Sequence, residues 1–108
     1  MNDALTVNGK TLHPDMKALL EAREAAGPAN TIDEQRRAWT AYSQALSQPH
    51  PTDMKVEDKD LSLSHGTVPV RIYTPASGVG AVPCVIYSHG GGFMKGDLDS
   101  SDTFAWGV

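Results

Sequence analysis

Little in this chain of 108 residues suits a disulfide framework, a membrane span or a nucleic-acid surface. It has one cysteine, Cys84, so no internal disulfide can form, and its place in an apolar segment predicts a packed core thiol. No apolar run approaches the ~20 residues that span a bilayer. The nine Lys and Arg residues form no cluster and the net charge is -4, which argues against nucleic acid or a membrane surface as the main partner.

Other absences concern targeting signals and metal ligands. Residues 1–10 have neither a basic n-region nor an apolar h-region, so the sequence predicts a cytoplasmic protein. No histidine has a second ligand at a metal-binding spacing, and surface or capping positions are expected for His13, His50 and His65. We therefore expect no metal ion and no cofactor. The composition, with 40% apolar and 20% charged residues, is that of a soluble globular protein.

Two amphipathic helices are predicted in the first half of the chain. The first has Pro14 in its opening turn and ends before Gly27, with apolar residues at helical spacing. The second begins at a capping box, formed by Thr31 and Glu34, and ends before Pro49. Both apolar stripes need a partner surface, which a helical hairpin packing on itself or on a core would supply.

A proline-rich break at residues 48–52 is the best candidate for a domain boundary. It divides the chain into a helical segment, 1–52, and a strand-rich segment, 53–108. In the second segment, alternating apolar residues predict two strands at 56–64 and 67–74, joined by a tight turn into an antiparallel hairpin.

The most informative motif comes later in the second segment. A small flexible loop at 76–81 leads into residues 82–87, whose continuous apolar character predicts a strand buried on both faces of a mostly parallel sheet. This strand is followed by His-Gly-Gly-Gly-Phe at residues 89–93. Consecutive glycines let backbone N–H groups turn toward a ligand that approaches without meeting a Cβ. Such donors suit a developing oxyanion, and ligands of open α/β sheets bind beyond the carboxyl ends of strands.

Two other interpretations of the glycine run are weaker. A phosphate-binding loop would show Gly-x-x-x-x-Gly-Lys-Ser/Thr or Gly-x-Gly-x-x-Gly, and neither pattern occurs in this chain. A plain structural turn rarely needs three glycines beside a histidine, because each glycine loses backbone entropy when it is ordered.

The segment from Pro83 to Asp102 resembles the oxyanion-loop region of the hormone-sensitive-lipase-like branch of the α/β-hydrolases, whose His-Gly-Gly-Gly motif lies between the third strand and the first core helix. Residues 68–75 are similar to the second strand of that family, and the helical N-terminus is similar to its cap. The resemblance implies an α/β fold, namely the N-terminal part of an α/β-hydrolase. That part comprises two cap helices, a β-hairpin, a third strand with the oxyanion loop, and the start of the first core helix. The family topology also implies that the third strand lacks both of its ladder neighbours in this chain.

The resemblance also implies a function, that of a carboxylic-ester hydrolase of the serine esterase or lipase type. A serine would attack a small-molecule ester, and the backbone N–H groups of Gly91 and Gly92 would stabilise the tetrahedral intermediate. Gly90 belongs to the same loop. The catalytic histidine of the family lies far beyond Val108, so His89 is expected to brace the loop rather than to transfer protons.

Residues around the motif are assigned by the same resemblance and by local patterns. Phe93 and Trp39 are expected to contact the substrate. Asp99 and Ser100 are expected to cap the next helix, and Asp102 is expected either to interact favourably with its dipole or to contact a functional group.

The catalytic triad of the family is missing from this chain. The family's nucleophile stands in a Gly-x-Ser-x-Gly elbow followed by an acid and a histidine, and no serine here has the two flanking glycines. We therefore expect the chain to be inactive alone and to work with the remainder of the same hydrolase; whether it forms homo-oligomers stays open. The alternatives are a non-catalytic ligand-binding relative, as plant hormone receptors are, or a self-standing interaction module.

Overall fold

The computed structural model describes residues 5–77 and 80–108. Residues 1–4, which belong to the segment without leader features, and Gly78 and Val79 of the predicted loop lie outside the described residues. The described elements are, in chain order, β1 (Thr6–Val7), β2 (Lys10–Thr11), α1 (Pro14–Ala25), α2 (Ile32–Ala45), β3 (Lys55–Leu63), β4 (Gly66–Thr74) and α3 (Asp102–Gly107).

A small antiparallel hairpin, β1 with β2, opens the described chain and was not predicted. Its turn residues Asn8 and Gly9 have φ angles of 50° and 74°. Two positive φ angles are typical of a type I′ turn, for which Asn-Gly is the preferred pair. The Asn-Gly pair was therefore a usable hairpin signal in the sequence.

Helices α1 and α2 form where the sequence predicts them. Pro14 stands at the start of α1, and the Nδ1 of His13 accepts a hydrogen bond from the Asp15 N–H at 3.2 Å, so the capping position expected for His13 is confirmed. The capping box of α2 is also confirmed. The Glu34 N–H donates to the Thr31 Oγ1, and the Thr31 N–H donates to the Glu34 Oε2, both at 3.2 Å.

The two helices contact each other but bury little apolar surface. Ala22 of α1 is the buried apolar residue in the part of the chain that the structure describes, whereas Met16 and Leu20 are 39% and 41% exposed. The apolar stripes predicted for the two helices are therefore only partly covered by other residues. No helix within residues 5–77 and 80–108 is long and apolar enough to cross a membrane.

Strands β3 and β4 pair as the predicted antiparallel hairpin. Arg71 and Tyr73 lie on one face of β4 and are half-buried, whereas Val68 and Ile72 on the other face are each 40% exposed. Pro69 is tolerated because, among the described residues, this sheet has two strands and each strand keeps a free edge. The polar face of the hairpin, not its apolar face, is the one that packs against the rest of the described chain.

The predicted third strand is not formed. Residues 82–87 pair with no other strand among the described residues, and Val85 and Ile86 are 71% and 94% exposed. Apolar sequence favours a buried strand only where neighbouring strands satisfy its backbone N–H and C=O groups. The prediction that Cys84 is a packed core thiol is wrong for the same reason, because this cysteine is exposed.

Helix α3 forms near the expected position, but its predicted caps are wrong. Its N-cap is Ser101, whose side chain makes no capping hydrogen bond. Asp99 instead pairs with Arg71 at 2.8 Å. The hydroxyl of the buried Ser100 accepts from the Asp97 N–H at 2.9 Å. Side chains committed to the preceding loop cannot also cap the helix.

Candidate active site

The glycine motif forms a tight turn, which we call the glycine turn and define as residues 89–96. The Gly91 carbonyl accepts hydrogen bonds from the N–H groups of Met94 and Lys95, at 3.1 and 3.2 Å. Gly91 has a φ of 145°, and a Cβ added there would lie 1.7 Å from the Lys95 carbonyl oxygen. The turn therefore requires glycine at position 91 for both conformational and steric reasons.

The next two residues of the turn have left-handed backbone conformations. Gly92 and Phe93 both have φ angles of 60°, and the Phe93 side chain is fully exposed. A bulky residue rarely adopts such a φ, which marks the turn as strained at Phe93. Among residues 5–77 and 80–108, the N–H groups of Gly91 and Gly92 have no hydrogen-bond acceptor. Within the described chain, these two N–H groups, like those of residues 89, 90, 93 and 96, are therefore free to donate to a ligand.

The ring of His89, the first residue of the glycine turn, contacts Gly90 and packs against Gly96, the last residue. Its Nδ1 is 2.9 Å from the Gly90 carbonyl oxygen, to which it donates in the tautomer protonated at Nδ1. Gly96 has a φ of 99°, and a Cβ added there would be 2.9 Å from the same ring nitrogen. The histidine ring therefore packs against the backbone at position 96, which leaves no room for a side chain.

A cavity of about 730 Å³ adjoins the glycine turn. It is lined by the turn, including Phe93, by the flanking Ser88 and Asp97, and by Arg36 and Thr40 of α2. Trp39 does not line it; the Lys95 ammonium lies 4.8 Å from the Trp39 ring centroid. Arg36 and Thr40 were not predicted as site residues, although they are four residues apart on α2 and therefore share one helix face.

A second polar cluster holds the segment that follows the turn. The Arg71 guanidinium donates to Asp58 at 2.7 and 3.0 Å, to Asp99 at 2.8 Å and to Asp102 at 3.1 Å. The Arg71 side chain is only 14% exposed. Its hydrogen bond to Asp58, above all, raises the pKa of Arg71, and the same bond lowers the pKa of Asp58. Arg71 also donates to the Leu98 carbonyl at 3.3 Å.

Asp102 is the second centre of this cluster. Its carboxylate accepts hydrogen bonds from the Tyr73 hydroxyl, from Arg71 and, at 2.5 Å, from the His50 Nε2. Burial opposes ionisation, but the hydrogen bonds from Tyr73, His50 and Arg71 outweigh it and lower the pKa of Asp102. Burial and the bond to Asp102 raise the pKa of Tyr73 to about 12.

Most of this cluster was not predicted from the sequence. Asp102 lies in the first turn of α3, as its dipole interaction requires, but its contacts with Arg71 and Tyr73 were not expected. The side chain of His50 is 36% exposed, as a surface position predicts, yet its ring pairs with Asp102. The pair Arg71 and Asp58 could have been found from the hairpin, because opposite charges at directly facing positions form cross-strand pairs. The pairs that involve His50 and Asp102 join distant parts of the chain and have no local signal.

Comparison with curated proteins gives matches over most of this chain. A "Carboxylic ester hydrolase LipN" of Mycobacterium tuberculosis is 32% identical over 103 residues, which cover 92% of this chain and 27% of that protein. An "Ethyl acetate hydrolase" of Pseudomonas putida is 32% identical over 109 residues, 91% of this chain and 34% of that protein. This chain is similar to carboxylic ester hydrolases. It spans about a third or less of the length of these relatives.

A third, shorter match is also to a protein named as an esterase. An "Esterase LipI" of Mycobacterium tuberculosis is 39% identical over 57 residues, which cover 51% of this chain and 18% of that protein. No family model matches the chain, and no solved structure matches it.

Proposed function

We propose that this chain is the part of a carboxylic ester hydrolase that supplies two cap helices and the oxyanion hole. The observation that carries the proposal is the glycine turn, where the N–H groups of Gly91 and Gly92 have no acceptor among the described residues and the turn lines a cavity of about 730 Å³. Similarity to proteins named as ester hydrolases over 91% and 92% of the chain supports the same function.

In the proposed mechanism, a serine attacks the carbonyl carbon of an ester, and the negative charge that develops on the carbonyl oxygen is stabilised by the amides of Gly91 and Gly92. A third donor would come from the residue after the nucleophile. The serine, acid and histidine would be supplied by the remainder of the same hydrolase, so this chain alone is inactive. His89 would keep the turn open through its contacts with Gly90 and Gly96.

The proposed architecture is that of an α/β-hydrolase. Residues 1–52 would form the helical cap segment and residues 53–108 the start of the core, in which residues 82–87 would become a paired strand once neighbouring strands are present. The substrate would be a small-molecule ester, and because one relative is named an ethyl acetate hydrolase, we propose esters with a short acyl chain. Phe93, which lines the cavity, would contact that substrate.

Hydrolysis of p-nitrophenyl acetate by the complete enzyme tests this function. We expect turnover that is abolished when the nucleophilic serine is replaced by alanine, and none from residues 1–108 alone. An enzyme that binds the ester but does not hydrolyse it would contradict the proposal and would favour a non-catalytic ligand-binding relative.

A further inference from the structure

Two contacts join helix α2 to the glycine turn. The Arg36 Nε donates a hydrogen bond to the Met94 carbonyl oxygen at 2.7 Å. One helical turn further along α2, the Trp39 ring lies 4.8 Å from the Lys95 ammonium, within reach of a cation–π interaction. Arg36 and Trp39 are three residues apart and therefore lie on the same face of the helix.

The contact at Met94 is connected to the proposed oxyanion donor by two peptide planes. The Met94 carbonyl and the Lys95 N–H belong to one trans peptide, and that N–H donates to the Gly91 carbonyl at 3.2 Å. The Gly91 carbonyl and the Gly92 N–H belong to a second trans peptide. In a trans peptide the carbonyl and the N–H point in opposite directions, so fixing one fixes the other.

We propose that Arg36 is a positioning residue, which sets the direction of the Gly92 N–H through the Met94 and Gly91 carbonyls. The guanidinium suits this role because it is always charged and its hydrogen bond to a carbonyl is charge-assisted. Arg36 also forms an ion pair with Asp33 at 3.9 Å, but the Asp33 side chain is 88% exposed. Such an exposed pair contributes little to holding the guanidinium in place. The inference rests on the proposed function only in giving the Gly92 N–H a catalytic use.

The position of α2 and the direction of the Gly92 N–H are therefore coupled. A shift of α2 would move the Met94 carbonyl and tilt the Met94–Lys95 peptide, whose N–H shares the Gly91 carbonyl with the Met94 N–H at 3.2 and 3.1 Å. The Gly91–Gly92 peptide would rotate with it. Transition-state stabilisation depends on donor direction more strongly than ground-state binding does. Loss of the Arg36 contact should therefore reduce kcat while KM changes little.

The kinetic test compares Arg36→Met with Arg37→Met in the complete enzyme. Arg37 is an exposed neighbour on α2 and serves as the matched control. We expect Arg36→Met to lower kcat for p-nitrophenyl acetate roughly ten- to a hundredfold, as a small misplacement of a catalytic donor does, with KM within about twofold. Arg36→Lys should recover part of the loss. An unchanged kcat, or a raised KM with kcat unchanged, would overturn the proposal.

A second measurement needs no reaction and separates this inference from the proposed function. In ¹⁵N-labelled protein, Arg36→Met should shift the amide signals of Gly92 and Lys95, Arg36→Lys should shift them less in the same direction, and Arg37→Met should leave them in place. Equal shifts in the Arg36 and Arg37 variants would overturn the positioning role. If the wild-type enzyme hydrolyses no ester, the proposed function fails, and these signals still decide the role of Arg36.

Discussion

Arg71 and Asp58 face each other across the β3–β4 hairpin, and two guanidinium N–H groups of Arg71 donate to the two carboxylate oxygens of Asp58, at 2.7 and 3.0 Å. The remaining N–H groups reach Asp99, Asp102 and the Leu98 carbonyl, which belong to the segment after the glycine turn. One arginine thus links the hairpin to that segment through charge-assisted, partly bidentate hydrogen bonds.

Replacing Arg71 by methionine should destabilise the complete enzyme. The variant keeps much of the apolar stem but leaves the carboxylate of Asp102, which is 15% exposed, without one of its donors. A buried acceptor that loses a charged partner costs about 1 to 3 kcal/mol. Urea unfolding should show this loss, with Arg37→Met as the control. A free energy of unfolding equal to that of the control would contradict the assigned role of Arg71.

Acid should weaken the cluster through Asp102 and Asp58. Both carboxyls have a pKa below the ordinary value of 3.8, so they stabilise the fold fully above pH 3.8. This contribution is lost as the pH falls below 3.8 and through the lower folded-state pKa. We expect the urea midpoint to fall over that range in the wild type and to fall less in Asp102→Asn. A variant as acid-sensitive as the wild type would show that Asp102 does not carry the effect.

Glycine substitutions should separate strain from steric conflict. Gly80 and Gly91 both have positive φ angles, of 81° and 145°, but an added Cβ meets no atom within 4 Å at Gly80 and lies 1.7 Å from the Lys95 carbonyl oxygen at Gly91. Gly91→Ala should therefore lower kcat for p-nitrophenyl acetate by roughly a hundredfold or more, the effect of a lost oxyanion donor. Gly80→Ala is the matched control and should leave kcat within about twofold. Similar losses in both variants would exclude a specific role for Gly91.

Local signals in the sequence were sufficient for the helices and the hairpin. The capping box of Thr31 and Glu34 forms as predicted, because its two hydrogen bonds join residues three apart. The hairpin likewise depends on a short turn and on neighbouring strands, and it is confirmed. Such elements need no information from distant parts of the chain.

Contacts between distant parts of the chain decide the rest of the structure. Residues 82–87 have the composition of a buried strand, and the family resemblance implies that they lack their ladder neighbours in this chain; no strand pairs with them among the described residues. The ring of His50 meets the carboxylate of Asp102, fifty-two residues away, only after the polypeptide has folded back. Arg36 reaches the Met94 carbonyl across fifty-eight residues in the same way. The glycine motif and the bracing position of His89 were recognisable in the sequence, whereas the contact of Arg36 with the turn was not.

Replacing the Gly92 amide by an ester tests most directly whether the Gly91 and Gly92 amides are the oxyanion donors. Glycolic acid introduced at position 92 by nonsense suppression removes one N–H and adds no side chain. We predict that kcat for p-nitrophenyl acetate falls roughly a hundred- to a thousandfold, with KM little changed. The same replacement at Gly80 should leave kcat unaltered. If the ester variants at positions 92 and 80 had the same kcat, the Gly92 amide would not be an oxyanion donor.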